Sequence, residues 1–550
     1  MPSRRRAGAI RGIALSAGVA LGVLGPATVA LAGPSPQRTV RVRLAASGNP
    51  NGASIEPALS GNARRVAFTS AATNLTPKDD GNGSKRDVFV YDQGSGAVEL
   101  VSAGLGGAAA DATSGQPVLD DDGSHVAFAS RATNLVADDT NHFSDVFVLV
   151  AGAGLVRASV ASDEAQGSGA SAEPDVSSDG RLVVFTSRAD NLVPGDTNGS
   201  EDVFVRDMVT GTTSLVSRGL GEVSADGRSS APAISADGRF VTFSSDASNL
   251  VAGDRNRRQD VFRRDLLTHH TKLISIRRGG GGGQNKAMSG GRAQVSDVSR
   301  DGRFVVFESD ATNLVARDRN RRTDVFVRDV RRGSTRRVSL STTNEEGSGA
   351  SFLPTITPDG RFVAFASRAD DLVAEDARGL DVFVRDVGRE TTVIANVSSR
   401  GRLRGRERAT PPPTRPSLSA DGATAAFASS ASNYVGGDTN RVADVFLRRL
   451  TPAASATAVR RVGLVDGRLL IVFRAHDRSP SPLQCRLDRG EPTLCPLGGL
   501  LLPKLSRGRH VLHALAGAPG AHYARRPIVI RMTIGKGRPR VRVQNPGDRL

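Results

Sequence analysis

The acidic residues with the most regular spacing are in a loop element, Asp-x-Asn-x-x-x-Asp. It occurs as Asp139/Asn141/Asp145, Asp196/Asn198/Asp202, Asp254/Asn256/Asp260, Asp318/Asn320/Asp324 and Asp438/Asn440/Asp444. Oxygen ligands at relative positions 1, 3 and 7 are the arrangement of a calcium loop, although no Glu supplies a bidentate last ligand. Asp139, Asn141, Asp145, Asp196, Asn198, Asp202, Asp438, Asn440 and Asp444 are therefore the calcium candidates. Arg255, Arg257 and Arg258 crowd one of the remaining copies, and Arg319, Arg321 and Arg322 the other. The competing reading is an Asx-type turn in which Asp caps the following strand. It is the preferred one, and no cofactor is expected.

Other chemistry is sparse. The eight histidines are scattered, and none has Glu partners at metalloprotease spacing. Gly-x-Ser-x-Gly is absent, and Gly167-Ser168-Gly169 and Gly347-Ser348-Gly349 fall in loops. The glycine run 279–283 has no strand and helix around it to make a phosphate loop. The only two cysteines are Cys485 and Cys495. No catalytic constellation is recognisable, and the expectation is a protein that is not an enzyme.

The loops belong to a repeat. Asp-Val-Phe starts at Asp87, Asp145, Asp202, Asp260, Asp324, Asp381 and Asp444, at spacings of 58, 57, 58, 64, 57 and 63 residues. The two long spacings hold the glycine run and a basic, proline-bearing insertion, Arg400–Arg415. Before each Asp-Val-Phe lies a Ser-x-Asp-Gly-Arg-x-Val-x-Phe element, as at Ser177–Phe185, with degenerate copies at Gly61-Asn62, Asp122-Gly123 and Asp421-Gly422. Asp-Gly is a strong hairpin signal, because both residues tolerate positive φ. The flanking segments alternate with period two, so each unit reads as four short strands. Such a sheet cannot bury both faces alone. Seven of them packed radially can, which predicts a seven-bladed β-propeller over 38–450. Fourteen of the 20 phenylalanines sit at two equivalent positions, Phe185 and Phe204 in one unit, and are predicted interblade core. The last unit lacks its fourth strand. Thr39–Leu44 matches the missing sequence and is expected to pair with Asp444–Arg448, although Thr457–Val462 competes for that place.

The Asp-Gly-Arg-x-Val-x-Phe strand, closest at Thr357-Pro358-Asp359-Gly360-Arg361, resembles the WD-like propeller repeat of the TolB family. TolB proper is a periplasmic partner protein with an α/β domain before its propeller, and related propellers gate prolyl-oligopeptidase-type hydrolases. Neither accompanying domain is recognisable here. Residues 455–545 lack the repeat and resemble bacterial Ig-like or fibronectin-like modules, through the Cys485-Arg486-Leu487-Asp488…Cys495 element and a His-bearing strand near 508–514. The fold class expected is all-β, a seven-bladed propeller followed by a small β-sandwich.

Residues 1–32 read as a signal peptide. Arg4, Arg5 and Arg6 precede an apolar run from Ile13 to about Leu24, and Ala30-Leu31-Ala32 is a small-x-small cleavage site. Its removal takes four arginines from a net charge of +17 and leaves +13. No later segment is apolar enough to span a membrane. Export implies an extracellular, cell-wall or periplasmic location, and an oxidising one predicts a Cys485–Cys495 disulfide. Nucleic acid is not an expected partner. An envelope protein, a glycan or an anionic wall polymer is. The sequence therefore suggests an exported, non-enzymatic binding or scaffold protein. The alternative is a propeller-based glycan lyase or hydrolase, which carboxylates or histidines converging at the channel mouth would favour.

Overall fold

The computed structural model describes residues 39–42, 49–76, 81–252, 254, 256, 258–276, 294–373, 379–398, 414–450, 458–465, 468–474, 483–488, 493–495, 500–516, 528–534 and 539–544. The proposed signal peptide and most of the glycine-rich and basic insertions lie outside them.

Among the described residues there are seven four-stranded antiparallel sheets. Unit three is typical: Ser171–Val176, Leu182–Ser187, Asp202–Asp207 and Thr212–Leu215, paired in that order. The Asp-Gly turn between its first two strands is built by side chains. Ser177 Oγ donates to Asp179 at 2.6 Å, Asp179 accepts the Arg181 N–H at 3.1 Å, and Gly180 sits at φ 72°. The motif arginine then reaches across the sheet. Arg181 meets Asp207, at the end of the third strand, at 2.7 Å, and Arg239–Asp265, Arg303–Asp329 and Arg361–Asp386 repeat the pair at 2.7–2.9 Å. The Arg181 hydrogen bonds hold the Asp207 carboxyl down at about 2.

Phe185 and Phe204 are cross-strand partners, fully buried, with ring centroids 5.9 Å apart. The six other units carry the same stacked pair. Such pairs contribute about 0.5–1.5 kcal/mol each beyond their buried area. Around them, apolar clusters form between successive sheets: Val146, Val148 and Ala158 of unit two pack with Val183, Phe185 and Leu192 of unit three. The cluster of Val445 and Leu447 with Val66 and Phe68 joins unit seven back to unit one. The ring therefore closes on itself. This is an all-β propeller.

Closure follows the expected route. Thr39–Arg41 pairs antiparallel with Asp444–Arg449, Thr39 opposite Arg448 and Arg41 opposite Phe446. The competing segment is used elsewhere, since Ala458–Val465 pairs with Arg468–Arg474. The described residues of the C-terminal region form two antiparallel sheets, one of three strands and one of five. Leu469 and Ile471 from the first and Cys485, Leu512, Ile530 and Met532 from the second share one core.

Candidate functional site

The first strand of units one to six, and Ser417–Leu418 of unit seven, line the centre of the ring. Five of these strands carry an x-Pro step, at Glu56-Pro57, Gln116-Pro117, Glu173-Pro174, Ala231-Pro232 and Leu353-Pro354. Proline cannot donate to the ladder, and the pairing register shifts there. The residue before each proline takes positive φ, 51–56°, a sparsely populated conformation for a side-chain-bearing residue. Its N–H then points away from its own sheet and must find an acceptor.

Side chains of the neighbouring unit supply it. Glu56 accepts the Gln116 N–H at 2.9 Å, Gln116 Oε1 accepts the Glu173 N–H at 3.0 Å, and Glu173 accepts the Ala231 N–H at 2.7 Å. Glu308 does the same for Leu353 at 2.6 Å. Two aspartates make a second layer. Asp175 accepts the Ile234 N–H at 2.8 Å, and Asp297 accepts the Ile356 N–H at 3.1 Å and the Thr355 hydroxyl at 2.6 Å.

All of these residues except Glu308 line a cavity of about 710 Å³ at the axis of the ring. Six carboxylates border it (Glu56, Asp120, Asp121, Glu173, Asp175 and Asp297) against the guanidiniums of Arg86, Arg300 and Arg415. Arg415 lies 3.5 Å from Asp297, and Arg300 lies 2.8 Å from Asp121. Burial, with the charge of Asp297 second, pushes the Asp175 carboxyl up to about 7. Two carboxyls in one cavity, one of them a proton donor near neutral pH, can do general acid–base chemistry.

The calcium candidates lie elsewhere, in the loops entering the third strands. Asp145, Asp202 and Asp444 are buried. Asp202 accepts the Ser217 hydroxyl at 2.5 Å and the Asn198 amide at 2.6 Å. Asp145 has the same partners in Ser159 and Asn141, while Asp444 accepts from Asn440. Asn141, Asn198 and Asn440 each turn their oxygen to a backbone N–H two residues on, the Asx turn. Asp139 and Asp438 are ion-paired to Arg157 and Arg41 at 3.2 and 3.3 Å, whereas Asp196 has no such partner. In unit five it is Arg337 that meets Asp318, at 3.2 Å, from a strand more than a dozen residues away. Among the described residues no cluster of three or more His, Cys, Asp or Glu could hold a metal, and no cysteine is free.

No family model and no curated protein matches the sequence. Solved structures do. TolB from Acinetobacter baumannii is 15% identical, with a TM-score of 0.34 over 66% of this chain and 76% of that one. The chain is similar to TolB in fold alone. An oligogalacturonate lyase from Vibrio parahaemolyticus is 10% identical, with a TM-score of 0.44 over 75% and 93% of the two chains. A puromycin-hydrolyzing peptidase from Mycobacterium tuberculosis is 13% identical, with a TM-score of 0.41 over 82% and 63%. A lyase and a peptidase are thus among the solved structures this chain is similar to, and the expectation that it is not an enzyme is corrected on that finding. Binding and catalysis are both open to it. No helix among the described residues is long and apolar enough to cross a membrane.

The sequence reading missed Glu56, Glu173, Asp175, Asp297 and Arg415. The acid-Pro steps in the first strands were the available signal. Asp297 had none, because its strand lacks the proline.

Proposed function

We propose that this is an exported propeller that binds an envelope ligand, a protein segment or a glycan, at the acidic mouth of its channel. One observation carries the reading. In a chain of net charge +17, the axial cavity has six carboxylates against three guanidiniums. A cavity of that sign concentrates cationic groups, and carboxylates accept hydrogen bonds from sugar hydroxyls. The C-terminal sheets act as an Ig-like spacer, closed by a Cys485–Cys495 disulfide. The test is affinity capture from envelope extract with the full chain, against an Asp175→Asn/Asp297→Asn variant. A partner held by the first and lost by the second supports the reading. Equal capture by both sinks it.

A second reading has its own support. Asp175, raised to about 7 beside Asp297, suits general acid catalysis on a glycan. Incubation with acidic and neutral polysaccharides, followed by chromatography of the products, separates the two. Chain cleavage that disappears in Asp175→Asn would establish catalysis.

A further inference from the structure

Three of the Asp-x-Asn loops contain a cation made by the protein itself. In unit two the Arg157 guanidinium lies 3.2 Å from Asp139 and 3.9 Å from Asp145. In unit five Arg337 lies 3.2 Å from Asp318 and 3.6 Å from Asp324. In unit seven Arg41 lies 3.3 Å from Asp438 and 3.4 Å from Asp444. The three arginines hold one register position. Each stands on the outer strand opposite the third-strand phenylalanine: Phe147, Phe326 and Phe446.

Unit three keeps the two acids but not the arginine. The residue opposite Phe204 is Leu215, an apolar core side chain. Asp196 is only 7% exposed, and its Oδ1 accepts no hydrogen bond. Arg218, whose charge reaches Asp196, is turned to Glu222. It donates to the Glu222 carbonyl at 2.8 Å and lies 3.8 Å from its carboxylate. Asp190, the other charged neighbour, is acidic and worsens the imbalance. The Asn198 N–H and the Ser224 hydroxyl bond the Asp196 carboxylate, as its other partners. Oδ1 of Asp139 and of Asp318 likewise accepts no hydrogen bond, but each has a guanidinium 3.2 Å away, so what the sister loops have and unit three lacks is an ion-paired cation against the buried acids.

We propose that unit three takes from solution the cation that units two, five and seven supply as arginine, a divalent ion of the calcium class held by Asp196 and Asp202. Calcium is a hard cation that prefers carboxylate oxygens and completes its shell with carbonyls and water. Asn198 is not a ligand. Its amide donates to Asp202 and to the Ala225 carbonyl, and its oxygen accepts the Ser200 N–H. It shapes the turn, while positions 1 and 7 bind. The site is independent of the channel. In unit four the residue opposite Phe262 is Leu273, again not an arginine, but part of that loop lies outside the described residues.

The test is calorimetric titration of calcium chloride into the full chain after chelator dialysis, with melting followed in parallel. The full chain is expected to bind calcium, and its melting temperature to rise with the ion. Asp196→Asn is expected to bind one ion fewer. Leu215→Arg, which installs the guanidinium, is expected to do the same. Arg157→Leu, which removes one, is expected to gain a site in unit two. Because Leu215 is core, the Asp196→Asn loss and the Arg157→Leu gain carry the test if Leu215→Arg fails to fold. No calcium heat from the full chain, or an unchanged stoichiometry in Asp196→Asn, would overturn the proposal.

Discussion

The guanidinium of Arg41, on the first described strand, lies 3.4 Å from the buried carboxylate of Asp444, on the last strand of the ring. Some 400 residues separate them in sequence, and the same arginine reaches Asp438 at 3.3 Å. The N-terminal strand therefore contributes more than a row of backbone hydrogen bonds. It carries the counter-charge for two acids of the seventh unit.

Arg41→Ala is expected to destabilise the ring by about 3 kcal/mol, because removing one partner leaves buried charge uncompensated. Deleting 33–46 is expected to cost more, since it also bares the edge of Asp444–Arg449. Denaturant melts of the three proteins measure this. An unchanged midpoint for the deletion would show that the strand does not close the ring.

Gly302→Ala is expected to destabilise by about 1–3 kcal/mol. Gly302 has φ 66°, and a Cβ there would meet the Phe240 ring of the preceding unit at 2.2 Å. Gly195→Ala is the control. Its φ is 81°, with nothing within 4 Å of the added carbon, so it isolates the backbone cost. Thermal melts should place Gly302→Ala below the control.

Stability should fall as pH rises from about 4 to 7. Burial raises Asp202, Asp324 and Asp444 to about 6, and Asp175, Asp260 and Glu308 to about 7. The folded state then holds protons that the unfolded state has released, so the slope is negative across that window and flattens above it. Asp207, held at about 2, acts oppositely, and its contribution is lost only below about pH 4. Glu308→Gln keeps an acceptor for the Leu353 N–H without the charge. It should melt above the parent at pH 8 and with it at pH 4. A parent whose melting temperature rises steadily to pH 8 would contradict the assignment.

The full chain under native conditions should show no thiol reactive to Ellman's reagent. Cys485 is 3% exposed in the C-terminal core. Reductant should lower the melting of that core alone, because the propeller contains no cysteine. Two titratable thiols in the unfolded, unreduced chain would disprove the Cys485–Cys495 bond.

Much of the ring was legible because each unit states its own local rules. The Asp-Gly step specifies a turn by its φ preference, and alternation specifies which side chains face the core. Phe185 and Phe204 could be assigned to the core from their recurrence alone. The arginines were misjudged. Arg319, Arg321 and Arg322 are neighbours of the unit-five loop in sequence, yet Arg337 fills it, because cross-strand register brings it beside Asp318.

What the sequence determined by itself was the four-strand unit, its sevenfold recurrence and the strand that closes it, since these depend on contacts within a few tens of residues or on a visibly missing piece. What only the tertiary structure decided was where charge gathers. Glu56, Asp175, Asp297 and Arg415 come from units one, three, five and seven, and only ring closure turns their strands toward one axis. Likewise Asp196 and Asp139 look equivalent in sequence. They differ because an outer strand places Leu215 at unit three where Arg157 stands at unit two.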